Sequence, residues 1–456
     1  MKTKSIKHVL LLCTPGFGLV DIWLPVVRKL KEEGNVKIDF LFPEPSALRL
    51  ENRNSDLFKL AEKFTTNKVI YKGYSGRFFV ASTLAEASIG VKHSKIDAKI
   101  LTFSYRLIKG RLSRYFILKV VGEYLLVVSK YIAYVKENIG NNKLFDFNLL
   151  NNVDAILQNV VTVHKITDKK LRSKIKEVPR FSMLGNLSLS WVRADINCRQ
   201  PATKSSDVTV YSMSHLELNW YKKCFKILEK NIVHVGIPRH DNDWLELIYN
   251  QTHSIEEELF DSFVFLIGSP STPYNTVERK KKALKDIYNV VCVKHKLKIV
   301  VKKHPKESLD GIDGHIYTEA LGLENYGKNW VYSDRHPSVL GKKAIFSISF
   351  YSGVVLDMLA INKPSIEYLN LEGLPLYDNS NSLRDAHGKP VFEFAYTKLV
   401  LNASSKLDLE KHVESILSQY EATVLPLRSK YEDYFTTSYD NASEIVANDI
   451  LKRIDN

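Results

Sequence analysis

A continuous apolar run, His8 to Cys13, stops in the glycine-rich turn Thr14-Pro15-Gly16-Phe17-Gly18. A helical pattern follows from Asp21 to Glu33, with Ile22, Val26, Val27 and Leu30 on one face, and a second apolar run covers Val36 to Phe42. Unbroken apolar strands are buried on both faces, as in a parallel sheet whose crossovers are helices. A strand–helix–strand start of this kind opens a doubly wound α/β domain. The same order begins again at Phe263–Ile267, with the turn Gly268-Ser269-Pro270-Ser271-Thr272 and an amphipathic helix from Val277 to His295. Two such starts in 456 residues predict an α/β chain of two Rossmann-like domains. We expect a first domain over residues 1–255 and a second over 256–405. Residues 406–456, helical and polar, are expected to pack back on the first domain.

The intervening pattern fills out this plan. Residues 95–140 read as a helical insertion rich in Arg, Lys and aromatics. Strands are expected at Val153–Gln158, at Val208–Tyr211 and at Asn231–Gly236, the last ending in the turn Gly236-Ile237-Pro238-Arg239-His240. A helix is expected at His215–Glu229, and residues 241–258 read as a linker. In the second domain Lys298–Val301 and Ala344–Ile348 read as strands, Val354–Ile361 as a helix and Pro364–Glu367 as a short strand. The helix from Val277 carries a basic run, Arg279 to Lys282, expected on its outer face.

Composition narrows the partners. Lys and Arg exceed Asp and Glu by 65 to 51, a net charge of +14. That excess favours nucleotide phosphates, other polyanions or an anionic membrane surface. No nucleic-acid-binding motif accompanies the charge, so no nucleic acid partner is expected. The four cysteines form no CxxC pair and no zinc spacing, and all four read as reduced thiols of a cytosolic protein. The N-terminal apolar run is too short for a signal peptide. The longest apolar stretch, within residues 115–135, is interrupted by Lys119, Glu123 and Lys130 and does not suit a bilayer span. The insertion's interleaved basic and apolar residues, 105–134, instead suggest a helix lying on an anionic membrane, on the cytoplasmic face. The alternative is a buried helix whose apolar face is core.

Three motifs carry chemistry. Gly16 and Gly18 let the backbone approach a ligand beside a helix start, although the full GxGxxG pattern is absent. Such a turn also serves any strand-to-helix connection. The second motif is Lys302-Lys303-His304-Pro305, placed at a strand's C-terminal end, where open α/β sheets bind ligands. Its cations suit phosphate oxygens; its plain reading is a solvated basic turn. The third is Ser347-Ile348-Ser349-Phe350-Tyr351-Ser352-Gly353, leading into a helix. Hydroxyls and unpaired backbone N–H groups there can cradle a phosphate, and a helix cap alone would need only one of those serines. With the turn residues Gly268, Ser269, Ser271 and Thr272, these form the expected nucleotide-binding site. Glu367 is placed to reach a ribose hydroxyl.

In this order the motifs resemble those of bacterial surface-polysaccharide glycosyltransferases of GT-B fold: sialyltransferases, polysialyltransferases and Kdo transferases. Those families carry a His-Pro motif at a strand end and a serine motif some forty residues later. The matching residues are His304 and Pro305, then Ser349 and Ser352. The run Asn362-Lys363-Pro364-Ser365-Ile366 is similar to the strand that follows the phosphate helix in such enzymes. The likeness spans residues 262–370. It implies that the second domain binds a nucleotide sugar, a CMP-linked one of nonulosonic or Kdo type, and that the first binds a glycan or lipid-linked glycan. It implies no cofactor beyond that co-substrate; no DxD-like metal motif stands in a convincing place, so no essential metal is expected. The general base in those families is a carboxylate of an acidic, glycine-ended motif with no copy here; Asp21 is the nearest candidate by position, with Glu86 and Asp154 as alternatives. A CDP-glycerol-dependent glycerophosphotransferase, a nucleotide-sugar epimerase and a non-catalytic scaffold of a polysaccharide assembly complex are the competing readings.

Overall fold

The computed structural model describes residues 6–13, 18–33, 35–43, 55–71, 100, 103–104, 107–108, 115–139, 152–159, 178–185, 187–193, 208–252, 260–304, 307, 312–436 and 441–455. They form two parallel sheets. The first holds β1 (Lys7–Leu12), β2 (Val36–Pro43), β3 (Asn67–Tyr71), β4 (Ala155–Asn159), β5 (Arg180–Met183), β6 (Val208–Ser212) and β7 (Ile232–His234), in the order β3-β2-β1-β4-β5-β6-β7. The second holds β8 (Phe263–Ile267), β9 (Ile299–Lys302), β10 (Trp330–Tyr332), β11 (Ala344–Ser349), β12 (Ser365–Tyr368) and β13 (Leu401–Ala403), in the order β10-β9-β8-β11-β12-β13. All the pairings are parallel. Both sheets reverse direction at their first strand: β1 lies between β2 and β4, and β8 between β9 and β11. Such a switch opens a crevice beyond the strands' C-terminal ends. The chain is therefore an α/β protein of two Rossmann-like domains facing a cleft.

The apolar patterning explains the layers. β8 is buried at every position, as a central strand covered on both faces must be. Helix Gly18–Glu33 buries Ile22, Trp23, Val26, Val27 and Leu30 against the first sheet. One apolar core runs from that sheet through Val355, Leu356 and Leu359 to one face of β8, so the domains share packing. A second core fills the other face of the second sheet.

Residues 406–456 divide their packing. Helix Lys406–Ser418 buries Leu409, Val413 and Ile416 in the second domain's core. Helix Ala442–Asp455 crosses to the first domain, where Tyr211 donates to Asp449 at 2.8 Å and Lys7 Nζ lies 3.1 Å from Asp455.

Three sequence expectations need correction. The stretch read as a linker contains helix Asn242–Thr252, which buries Trp244, Leu245 and Ile248 at helical spacing. Its Asp and Asn residues mark a helix start, where short polar side chains are favoured, and not a solvated connection. Lys280, expected on an outer basic face, is fully buried. Cys13 and Cys292 are free, but Cys224 is disulfide-bonded, so the four thiols are not all reduced. Sequence spacing shows no proximity between distant cysteines. Among the described residues no helix is long and apolar enough to cross a membrane.

Candidate functional site

The second sheet's C-terminal edge is built by close backbone approach. Gly268 N donates to the Lys302 carbonyl at 2.8 Å. A Cβ at Gly268 would stand 2.7 Å from that oxygen, 2.9 Å from His304 N and 2.6 Å from a Glu307 carboxylate oxygen, so only glycine fits. Glu307 accepts from His304 N at 2.5 Å, from Lys280 Nζ at 2.5 Å and from the Tyr317 hydroxyl at 2.8 Å. Lys280 Nζ also donates to the Ser269 carbonyl at 2.7 Å. This buried ion pair ties the turn after β8 to the loop after β9 and fixes the backbone at His304. Burial pushes the Glu307 carboxyl up, against the pull of Lys280. Charge pairing with satisfied hydrogen bonds is what makes such a buried lysine tolerable.

The expected cation cluster is spread along this loop. Lys302 Nζ donates to the Asp334 carbonyl at 3.0 Å, and Lys303 Nζ lies 3.9 Å from the centre of the Tyr332 ring. His304 is half-buried beside them. Pro305 lies outside the described residues, as do Gly16 and Glu86; Gly18 opens the first helix. Ser271 and Thr272 are half-buried in the turn after β8.

Beyond β8 the serines take distinct places. Ser347 Oγ and Ser365 Oγ share a 2.7 Å hydrogen bond inside the sheet. Ser349, at the end of β11, is paired in register with Glu367 of β12. Ser349 Oγ and Glu367 Oε2 are both buried without a hydrogen-bond partner, and so is Asn275 Nδ2 in the turn after β8. Burial, reinforced by the charge of Glu393, pushes Glu367 up to about 8, so it holds its proton at neutral pH. Glu393 accepts from the Tyr351 hydroxyl at 2.7 Å and lies 3.0 Å from Arg193 Nε of the first domain. The Tyr351 ring stands 6.4 Å from Tyr274 and 4.5 Å from Phe392. Tyr351 also holds φ at 99°, in the region that costs an L-residue steric strain.

Ser352 Oγ accepts from Val354 N at 3.3 Å, and helix Val354–Ala360 starts there with seven residues. A Cβ at Gly353 would collide with the Leu187 carbonyl of the first domain. The third motif thus lies where the two domains meet.

A buried ionic network spans the same boundary. Arg239 grips Asp357 with two bonds, 2.8 Å from Nε and 2.6 Å from Nη2, and reaches Asp21 at 2.6 Å through Nη1. His336 Nε2 lies 3.0 Å from the other Asp21 oxygen. His240 bridges Asp357 at 2.7 Å and the Tyr431 hydroxyl at 2.6 Å. Asp56 accepts from His336 N at 3.2 Å. Burial alone would raise the Asp21 carboxyl, but Arg239 and His336 outweigh it and bring it down to about 2. Asp154 sits at the opposite edge of the first sheet, accepting from His8 N at 2.7 Å.

The structure therefore brings Gly268, Ser269, Lys302 and His304 to one edge with Ser349 and Glu367. Asp21 it places within the ionic network. Sequence reasoning missed Arg239, His336, Asp357, Tyr351 and Glu393. The turn holding Arg239 and the dipeptide His336-Pro337 are both visible in the sequence; their pairing with Asp21, 218 and 315 residues away, is not. Among the described residues no group of three or more His, Cys, Asp and Glu side chains could hold a metal ion.

No family model and no curated protein matches the chain. Solved structures do. S. aureus MnaA with UDP is 11% identical over 98% of this chain and 97% of its own, with a TM-score of 0.57. UDP-GlcNAc 2-epimerase from Neisseria meningitidis, bound to UDP-GlcNAc, is 11% identical over 98% of this chain and 100% of its own, TM-score 0.52. The wall teichoic acid polymerase TagF with CDPG is 13% identical over 98% of this chain and 89% of its own, TM-score 0.53. At these identities the likeness is one of fold, and that fold is GT-B.

Proposed function

We propose that this chain is a nucleotide-sugar-dependent glycosyltransferase. The second domain holds the donor, and the first presents a glycan or lipid-linked glycan acceptor. The observation that carries this reading is the pair of unpartnered buried atoms, Ser349 Oγ and Glu367 Oε2, at neighbouring strands beside the switch point at β8. A buried polar atom without a partner costs about 1–3 kcal/mol, a cost expected to be retained where a ligand supplies the missing bond. Protonated Glu367 can both donate to and accept from a ribose hydroxyl. Lys302 at the end of β9 and His304 just after it are assigned to the donor phosphate, opposite Ser349 and Ser352. There they stabilise the charge that builds on the departing nucleotide. Asp21 is ionised with both oxygens engaged and a pKa near 2, which makes it a weak proton acceptor. We assign it to joining the domains.

The sequence resemblance supports a CMP-linked donor of nonulosonic or Kdo type, and the lack of a convincing DxD-like motif in the sequence supports transfer without a metal. Likeness of fold to the UDP-bound proteins and to TagF keeps two other reactions as outcomes of the test. CMP-, CDP- and UDP-linked compounds are incubated with the protein, with and without oligosaccharide acceptors. CMP release stimulated by acceptor is the expected result. Release from CDP-glycerol alone indicates glycerophosphate transfer. Isomerisation of a UDP-sugar without loss of nucleotide indicates an epimerase, and turnover of none of them overturns the enzyme reading. Loss of activity in EDTA overturns metal independence.

A further inference from the structure

Among the described residues, helix Phe116–Ile139 packs closely at Gly122. A Cβ on Gly122 would lie 2.8 Å from Leu107 Cβ, 2.9 Å from Ile108 Cγ1 and 3.0 Å from the Ser104 carbonyl. Gly122 and Ser129 are buried on this inner side. The opposite side is apolar too, yet open: Phe116 is 79%, Ile117 75% and Tyr124 68% exposed, with Val120, Val121 and Val127 exposed between them. At 100° per residue these six side chains occupy a continuous arc of about 140°, with charged Lys119 and Glu123 at its border. Scattered surface apolar residues are ordinary, but a contiguous apolar face marks an interaction surface.

We propose that this face docks the protein in the plane of an anionic lipid surface. Charge selects the occupant. Between residues 103 and 130 the sequence carries six basic residues, Arg106, Lys109, Arg111, Arg114, Lys119 and Lys130, against one acidic residue, Glu123. An excess of cations next to an apolar helix in the sequence is complementary to anionic headgroups. The same excess opposes a second copy of the chain, which would bring like charges together. Lys119, Glu123 and Lys130 interrupt the helix's apolar sequence, so the proposed contact is along the interface and not across the bilayer. The inference is independent of the donor-site reading.

The test is co-sedimentation of the full chain with vesicles of phosphatidylglycerol and phosphatidylcholine against vesicles of phosphatidylcholine alone. The expected result is binding to the anionic vesicles only. The double variant I117E/V121E, altered at exposed positions, should lower the partition coefficient by about tenfold or more, because two charges then face the hydrocarbon border. Its melting temperature, and any rise on adding CMP or UDP, should match wild type, which separates lost docking from lost folding or a lost donor site. No wild-type binding to anionic vesicles overturns the proposal, as does equal binding by the double variant. So does a wild-type dimer in light scattering that the double variant dissociates, which would assign the face to a second copy.

Discussion

Replacing Glu367 by Gln isolates one carboxyl without changing its volume. Its ordinary pKa of 4.5 rises to about 8 in the fold, because of burial first and the Glu393 charge second. Between those values the folded state keeps a proton that the unfolded state releases, so stability falls as pH rises through the window. The loss is complete above about pH 8. At about 1.36 kcal/mol per pH unit, raising the pH from about 5.5 to 8 removes roughly 3 kcal/mol through this group alone. Gln does not titrate and escapes that loss. Urea unfolding of wild type and E367Q at pH 5.5 and pH 8.5 measures the difference. The variant should gain about 3 kcal/mol on wild type between the two conditions. Parallel pH profiles would mean that Glu367 ionises as an ordinary carboxyl, and the argument that it meets a ligand as a neutral acid would fall.

Arg239→Met leaves Asp21 and Asp357 buried without their guanidinium and should cost about 3–5 kcal/mol, seen as a lower melting temperature; an unchanged one would refute the bridging role. Asp21 is depressed from 3.8 to about 2, so its contribution is fully present above pH 3.8 and lost as pH falls through 2; Asp21→Asn should flatten that acid limb of the unfolding curve. Gly268→Ala forces a methyl into the Lys302 carbonyl and His304 N. It should weaken nucleotide binding about tenfold or more with the far-ultraviolet dichroism unchanged, at the 1–3 kcal/mol usual for overpacking. Wild-type affinity in that variant would show that the loop after β9 does not depend on this contact.

The parallel strands were legible because a strand buried on both faces is written as an unbroken apolar run, as at Leu10–Leu12 and Phe263–Ile267. Among the strands missed, β10 and β13 have three residues each, too few side chains to show a period, and β3 and β5, of five and four residues, went unread as well. The loop Lys302–His304 was legible because it immediately follows such a run. What the sequence conceals is pairing at long range. Lys280 looks like one of four consecutive basic residues on a helix surface until Glu307 is placed against it. Arg239 looks like part of a turn until Asp21 and Asp357 close on it from two domains. Periodicity records which face of an element is buried, but it does not record which polar group waits on the other side.

The edge formed by His304, Ser349 and Glu367 is proposed to bind a nucleotide. Calorimetric titration of CMP, CDP, UDP and GDP into wild type, His304→Ala and Ser349→Ala tests it directly, with melting temperatures confirming that each variant is folded. At least one nucleotide should bind wild type and raise its melting temperature, since a ligand specific to the folded state must do so. His304→Ala should weaken that binding about tenfold or more, about 1.4 kcal/mol, and should lower turnover about a hundredfold, because its contact strengthens as phosphate charge develops. Ser349→Ala should weaken binding less. If no nucleotide binds wild type, or if both folded variants bind as tightly as wild type, the donor site is not at this edge.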